Sequence, residues 1–203
     1  METSTTNQLF SKDDLKKLII PLLFEQALAI TVGMADTVMI SSAGEAAVSG
    51  VSLIDMFNNL IISVLAALAT GGAVVTSQFL GAGKKEDACK SAKQLIVSSV
   101  CITIGISILV MVFCNGIISL FFGKIEADVF HNAVIYMMIS ALSFPFLALY
   151  NSCAALFRSM GNSKITLKVS VVENIINIGG NALGVYVPVS YTHLRAHETK
   201  ANL

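Results

Sequence analysis

Five long apolar segments follow one another along the chain, separated by short polar or charged stretches. Each segment is long enough to cross the hydrocarbon core of a bilayer as an α-helix, which takes about 20 mostly apolar residues. The pattern predicts membrane-spanning helices over residues 17–42, 47–80, 94–118, 133–157 and 165–187. Between the second and third helices it predicts a charged loop over residues 81–93. The predicted fold class is an all-α membrane protein, a bundle of about five transmembrane helices.

The first predicted helix carries two carboxylates, Glu25 and Asp36, well inside its apolar stretch. A carboxylate near the middle of a membrane helix costs roughly 2.5–3.5 kcal/mol, so it normally faces a protein interior or a wet cavity. The helical repeat places the two residues on one face, about 16 Å apart along the axis. Pro21, in the first turns of this helix, removes a backbone hydrogen bond and permits a bend. An acidic stripe of this kind suits a transporter of cations or protons.

The fifth predicted helix has a polar face. Four of its side chains recur at helical spacing and share one broad side: Glu173, Asn174, Asn177 and Asn181. A buried amide without a hydrogen-bond partner costs several kcal/mol, so these side chains need partners inside the protein. The rise per residue places Asn177 and Asn181 at about the depth of Asp36.

These depths suggest an ion site formed by Asp36 with Asn177 and Asn181, and with Asn151 of the fourth helix. Carboxylate and amide oxygens suit a hard cation such as Na⁺, or a proton carried by Asp36 itself. Alternatively, the asparagines join helices through interhelical hydrogen bonds, each worth about 0.6–2 kcal/mol. Both interpretations remain open at this point.

Two further polar groups accompany this candidate site. Glu25 and Glu173, with Asn174 beside them, either line a cavity that contacts the substrate or lie in a hydrated cytoplasmic vestibule. A separate patch lies near the beginning of the second helix: Asp55, Asn58 and Asn59. We interpret this patch as a hydrated helix end at the membrane interface.

The composition places the chain among membrane proteins. Hydrophobic residues make up 55% of the sequence and charged residues 13%, whereas a soluble domain has about 25% charged residues. Lysine and arginine collect before the first helix, between the second and third, and between the fourth and fifth. By the positive-inside rule these stretches and the N-terminus are cytoplasmic. We therefore predict a multi-pass protein of the plasma membrane.

The sequence does not indicate catalysis or a bound cofactor. The four cysteines show no paired spacing, so we expect neither a disulfide framework nor a zinc site. No GxxxxGK[ST] phosphate-binding motif occurs, and the predicted membrane segments contain no histidine. We predict that the protein is not an enzyme, that it has no cofactor and that it binds no nucleic acid.

The last residues break the apolar pattern. From about Val189 the sequence is polar and basic, and it contains His193 and His197. It interrupts the fifth helix where a turn and a sixth helix would be expected, and it resembles translated adapter tails found in assembled sequence data. We interpret residues 1–188 as the first five helices of an incomplete domain and residues 189–203 as a non-native tail.

Four motifs, which occur in the order that the family has them, resemble the multidrug and toxic compound extrusion (MATE) transporters. They are GMADTVM from Gly33, GAGKKEDA from Gly81, LFRSMGNSK from Leu156 and ENIINIGGNAL from Glu173. The resemblance covers residues 15–187 and looks nearest to the MepA-like branch.

This resemblance implies the N-terminal part of a twelve-helix protein with two six-helix lobes, which exports a drug in exchange for Na⁺ or H⁺. It implies that Asp36 is the coupling-ion residue, with Asn151, Asn177 and Asn181 beside it. Many members have aspartate at the position of Asn181, which leaves the identity of the ion open. It also implies a bend at Pro21.

The resemblance further implies three partners: a cationic or amphipathic small-molecule drug, membrane lipid, and a missing C-terminal lobe. Two alternatives remain open. One is a lipid-linked oligosaccharide flippase of the same superfamily, and the other is a fragment that is inactive on its own.

Overall fold

The computed structural model describes residues 12–41 and 44–180, and every regular element in these residues is an α-helix. The helices are α1 (Lys12–Ser41), α2 (Glu45–Gly81), α3 (Lys85–Phe122) and α4 (Ala127–Ser159), followed by α5, which begins at residue 163 and is helical to residue 180. Helices α1 to α4 are each long and apolar enough to cross a membrane. The prediction of an all-α membrane bundle is confirmed. Asn181, the predicted end of the fifth helix and the predicted tail at 189–203 lie outside the described residues.

Helix α3 begins well before its predicted start. The stretch 81–93 was predicted as a loop, but α3 already begins at Lys85, so only residues 82–84 connect it to α2. The charged residues of this stretch are good helix formers, and Glu86 and Asp87 in the first turn interact favourably with the positive end of the helix dipole. Where a helix extends beyond the hydrocarbon core, its backbone stays helical and its side chains become polar or charged. The change in polarity therefore marks the edge of the membrane and not the end of the helix.

Helix α2 lies at the centre of the bundle. It packs against α4, α3 and α1, and its contacts with α4 are the most extensive. Ala69 and Ala73 are almost fully buried against Leu95 of α3 and Leu156 of α4. Small side chains such as these let the backbones of membrane helices approach closely.

A larger apolar cluster fills the space between α2, α3 and α4. Its buried members are Ile54 of α2, Val110, Cys114 and Ile118 of α3, and Ala133, Met137, Ala141 and Phe144 of α4. Helix α5 continues along α4, where Ile165 and Val169 line a narrow groove with Tyr150 and Phe157. This packing brings one face of α5 towards α1 and α2.

Helices α2 and α4 approach each other closely at Gly50, and this contact gives a testable prediction. A Cβ atom on Gly50 would lie 3.0 Å from the backbone nitrogen of Ala133 and 3.0 Å from the carbonyl oxygen of Val129. Backbone atoms cannot move aside as a side chain does, so we expect Gly50→Ala to destabilise the chain by about 1–3 kcal/mol. The measurement is the thermal unfolding midpoint of the purified chain in detergent.

Gly71→Ala on the same helix is the matched control, because nothing lies within 4 Å of the atom that it adds. Alanine is a better helix former than glycine by about 1 kcal/mol, so this variant is expected to keep or raise the midpoint. Equal midpoints for the two variants would contradict the close approach of α2 and α4.

Candidate functional site

A cavity of about 360 Å³ lies between α1, α2, α4 and α5. Helix α1 lines it with Gly33, Asp36, Thr37 and Ile40, and α2 lines it with Val48, Val51, Ser52 and Asp55. Tyr136 of α4 and Asn177 of α5 complete the described part of the lining. In both α1 and α2 the lining residues stand at positions i, i+3, i+4 and i+7, the spacing that places side chains on one face of a helix. Two helix faces therefore meet across this cavity.

Asp36 and Asn177 line the same cavity, although they are 141 positions apart along the chain. Asp36 is partly buried, in the last turns of α1, and Asn177 stands late in α5. The sequence placed both at a similar depth, and the structure brings these two side chains together. Their role as ion ligands stays a prediction.

The other two members of the predicted ion site are not seen in this cavity. Asn151 lies in α4, fifteen positions after Tyr136, which is about 22 Å along the helix axis. It is not among the described residues that line the cavity. Asn181 lies outside the described residues, so its place in the site stays a prediction.

Asp55 belongs to the cavity, which the sequence analysis did not foresee. The hydroxyl of Tyr136 donates a hydrogen bond of 2.9 Å to Oδ1 of Asp55, and Nδ2 of Asn58 donates one of 3.1 Å to Oγ of Ser140. Both bonds join α2 to α4. The interpretation of this patch as a hydrated helix end was therefore wrong for Asp55 and Asn58, whereas Asn59 is exposed.

Two signals in the sequence could have identified this pair of residues. Asp55 continues the i, i+3, i+4, i+7 series of Val48, Val51 and Ser52, which predicts one common face. Tyr136 stands inside an apolar helix, and a buried tyrosine hydroxyl usually finds a hydrogen-bond partner. Neither signal names the partner, because the two residues are 81 positions apart.

The chemistry of the lining is that of oxygen ligands. The polar atoms come from two carboxylates, one amide and the hydroxyls of serine, threonine and tyrosine, and no lysine, arginine or histidine is found among the described lining residues. Within residues 12–41 and 44–180 no group of three or more His, Cys, Asp or Glu is arranged to hold a metal ion. Such a lining can hold a hard monovalent cation or a proton.

A second polar group lies towards the other end of α1. Nη2 of Arg158 donates a hydrogen bond of 3.2 Å to Oε1 of Glu25, and the two side chains form an ion pair. Glu25 is buried, with 7% of its surface exposed. The sequence analysis left Glu25 either in a cavity or in a hydrated vestibule, and the structure adds a charged partner on α4. Its predicted contact with a substrate stays a prediction. Pro21, one turn earlier, is also buried and lies inside the continuous helix α1.

Glu173 and Asn174 do not join the ion pair directly. Glu173 is exposed in α5 and is near enough to Glu25 for the two carboxylates to repel each other. Nδ2 of Asn174 donates a hydrogen bond of 3.4 Å to Oγ of Ser170 in the same helix. Their predicted contact with a substrate stays a prediction.

The MatE family model matches residues 21–183, which include most of α1 and all of the other helices. The chain belongs to the MatE family. The resemblance to MATE transporters drawn from its four motifs is thereby confirmed, and the assignment to the MepA-like branch stays a prediction. Together with the four apolar helices, this makes the chain part of a multi-pass membrane protein of a transporter family, and supports the expectation that it is not an enzyme.

Curated MatE relatives include two bacterial proteins. The chain is 31% identical over 166 residues to the uncharacterized transporter YisQ of Bacillus subtilis, a match that covers 82% of this chain and 36% of the relative. It is 25% identical over 172 residues to the probable multidrug resistance protein NorM of Thermotoga maritima, again covering 82% of this chain and 36% of the relative. The chain thus spans little more than a third of the length of these relatives.

Solved structures support the fold. One describes the outward-facing conformation of a multidrug resistance MATE family transporter of the MOP superfamily. The two chains are 19% identical and superpose with a TM-score of 0.78, and the match covers 86% of this chain and 38% of the solved one. Another shows a MATE protein in complex with MaD3S, with 19% identity and a TM-score of 0.79, over 86% of this chain and 39% of that structure. The arrangement of helices is therefore that of the first part of a MATE transporter.

Proposed function

We propose that this chain forms the N-terminal lobe of a secondary active transporter that exports cationic or amphipathic compounds in exchange for Na⁺ or H⁺. The observation that carries the proposal is the cavity that Asp36 and Asn177 both line. A carboxylate in a membrane helix is costly, and such residues mark ion and substrate pathways in transporters. A relative named as a probable multidrug resistance protein supports drug export in general.

The proposed mechanism is alternating access, in which two lobes rock about a central substrate site. A cation or proton that enters the cavity neutralises Asp36. This neutralisation lowers the desolvation penalty that a charged carboxylate imposes when α1 closes over the cavity. Ion binding thereby favours the state of the lobe in which the drug has been released. The ion gradient supplies the energy, because a unit charge that crosses the membrane gains about 2.3 kcal/mol per 100 mV.

The proposed orientation follows from the basic stretches, which we place in the cytoplasm together with the N-terminus. The cavity then opens towards the outer half of the plasma membrane, because α1 runs outward and Asp36 stands near its end. In this arrangement Na⁺ or H⁺ loads from outside. The ion pair of Glu25 and Arg158 lies in the inner half.

The remaining predicted residues take supporting roles in this proposal. Asn181 extends the ion site, whereas Asn151, about 22 Å along α4 from Tyr136, lies too far from the cavity to bind the same ion. Pro21 is the point about which α1 bends. Glu173 and Asn174 face the region in which a cationic drug would lie, with membrane lipid and a C-terminal lobe around it.

The direct test measures which gradient drives efflux. The complete reading frame that contains residues 1–188 is expressed in efflux-deficient bacteria, and everted membrane vesicles are assayed for movement of the fluorescent cation ethidium. A Na⁺ gradient and a pH gradient are imposed separately, and we expect one of them to drive transport. If neither does so in vesicles that contain the protein, the antiporter proposal is wrong. Transbilayer movement of a lipid-linked oligosaccharide in the same vesicles would then favour the flippase alternative.

Vesicles that contain only residues 1–188 form a useful comparison. We expect them to transport no ethidium, because a cavity between two lobes cannot form from one lobe. Transport by this shorter protein would show that the described helices suffice on their own.

A further inference from the structure

One backbone carbonyl of α4 lacks its usual amide partner. Pro145 lies inside α4, and proline has no N–H group with which to bond the carbonyl of the residue four positions earlier, which is Ala141. Ala141 has none of its surface exposed. A carbonyl buried at membrane depth is costly unless another group supplies the hydrogen bond.

Ser107 of α3 supplies this bond. Its hydroxyl donates a hydrogen bond of 2.7 Å to the carbonyl oxygen of Ala141, and only 6% of the surface of Ser107 is exposed. The bond is therefore shielded from water, and it joins α3 to α4 at the position that the proline leaves open. Serine and threonine side chains are among the groups that allow membrane helices to tolerate an internal proline.

The bond of Ser107 differs from those of most other hydroxyls in the bundle. Most described serine and threonine hydroxyls that bind a carbonyl donate to their own helix, three or four residues earlier. Thr103, one turn before Ser107 on the same face of α3, does so with a bond of 2.6 Å to the carbonyl of Ser99. A serine in a helix can make the same kind of bond, and for Ser107 the local acceptor is the carbonyl of Thr103. Ser107 thus has two alternative acceptors and uses the one on α4.

Pro145 separates two parts of α4 that make different contacts. Tyr136, which bonds Asp55 at the cavity, stands nine residues before the proline, and Arg158, which pairs with Glu25, stands thirteen residues after it. These separations are about 14 Å and about 20 Å along the helix axis. A bend at Pro145 would move one contact relative to the other. It would break one side-chain bond, because the backbone bond is already missing.

We propose that Pro145 is a hinge of α4 and that the hydroxyl of Ser107 is its lock. With the bond to Ala141 made, α4 is held against α3 on both sides of the proline. When the hydroxyl turns to the carbonyl of Thr103, α4 is free to bend. The use of this hinge in transport rests on the proposed function, in which the lobe alternates between two states.

The lock is tested by a double-mutant cycle on the thermal midpoint of the purified chain in detergent. Ser107→Ala leaves the carbonyl of Ala141 without a donor, and we expect the midpoint to fall by about 2–8 °C. Pro145→Ala restores the amide that bonds this carbonyl, so the midpoint should rise. In the Pro145→Ala background, Ser107→Ala should lower the midpoint much less, because the carbonyl keeps its helical partner.

Ser99→Ala is the matched control. Ser99 lies two turns earlier in the same helix and is 2% exposed, but its hydroxyl has no hydrogen-bond partner among the described residues. The substitution removes the same atom without breaking a bond, so the midpoint should stay or rise. Equal midpoints for Ser99→Ala and Ser107→Ala, or an equal loss from Ser107→Ala in both backgrounds, would reject the lock. If Pro145→Ala does not accumulate, the comparison of the two serine variants decides.

Efflux by the complete reading frame tests the hinge. We expect Pro145→Ala to lower the maximal rate of ethidium efflux several-fold although it raises the midpoint, because an unbroken helix resists bending. Ser107→Ala should keep or raise the rate although it lowers the midpoint. A purely structural role would move rate and midpoint in the same direction, and parental efflux by Pro145→Ala would reject the hinge.

The outcomes are distinguishable from those of the proposed function. If the parent shows no ion-driven efflux, the antiporter proposal and the use of the hinge in transport fall together. The midpoints decide the lock separately, because they require no transport. If the parent is driven by an ion and the cycle shows no coupling between Ser107 and Pro145, only the lock is rejected.

Discussion

Asparagine in place of Asp36 is expected to abolish ion-driven efflux while the protein still folds and inserts. The substitution keeps the size and hydrogen-bonding oxygen of the side chain but removes the charge that the coupling ion neutralises. A carboxylate inside a membrane-spanning helix is unfavourable to insert, so its loss should make insertion easier. Transport and stability are therefore expected to change in opposite directions. The measurements are ethidium efflux from vesicles and the thermal midpoint of the purified protein.

The matched control is Asp14→Asn on the same helix. Asp14 stands in the first turn of α1, and its side chain is 59% exposed beside Lys17. Exposed ion pairs of this kind contribute about 0–1 kcal/mol, so we expect efflux by this variant to match that of the parent. Efflux by the Asp36 variant at the parental rate, over the full range of driving-ion concentration, would remove Asp36 from the mechanism.

The sequence predicts the number of helices and part of the site because both depend on local spacing. Long apolar segments define the helices, and the rise per residue was enough to place Asp36 and Asn177 at one depth. The structure confirms the bundle and brings these two side chains to one cavity. Helix ends were predicted less well, since α3 continues through a charged stretch that lies outside the hydrocarbon.

The sequence could not predict which polar side chains pair across helices. Tyr136 and Asp55 are 81 positions apart, and Arg158 and Glu25 are 133 positions apart. Such pairs depend on how the helices are rotated about their axes and on their order in the bundle. Periodicity fixes the face on which a residue lies but not the neighbour that this face meets. The sequence analysis therefore placed Asp55 at a hydrated helix end, although its carboxylate accepts a hydrogen bond from Tyr136.

The ion pair of Glu25 and Arg158 gives the second large expected effect. Arg158→Leu leaves the buried carboxylate of Glu25 without its positive partner. Removal of one partner from a buried pair costs about 3–5 kcal/mol, and we expect the lower end of this range because the side chain of Arg158 is 37% exposed. The thermal midpoint of the purified chain in detergent should fall accordingly.

Substitutions of Glu25 and of Arg158 are expected to lower the thermal midpoint by different amounts. The side chain of Glu25 is only 10% exposed, and its Oε2 has no hydrogen-bond partner among the described residues. Glu25→Gln removes the buried charge and leaves an amide oxygen that can still accept from Arg158, so its effect on the midpoint should be smaller than that of Arg158→Leu.

The double variant Glu25→Leu with Arg158→Leu separates the effect of an unpaired charge from that of lost packing. Replacing both members of a buried pair by apolar residues is often neutral or stabilising, so the double variant should recover most of the loss. Lys17→Gln, which breaks the exposed pair with Asp14 on the same helix, should leave the midpoint nearly unchanged. If the double variant is as unstable as Arg158→Leu alone, the loss comes from packing around Arg158, and the ion pair does not hold the first half of α1 against α4.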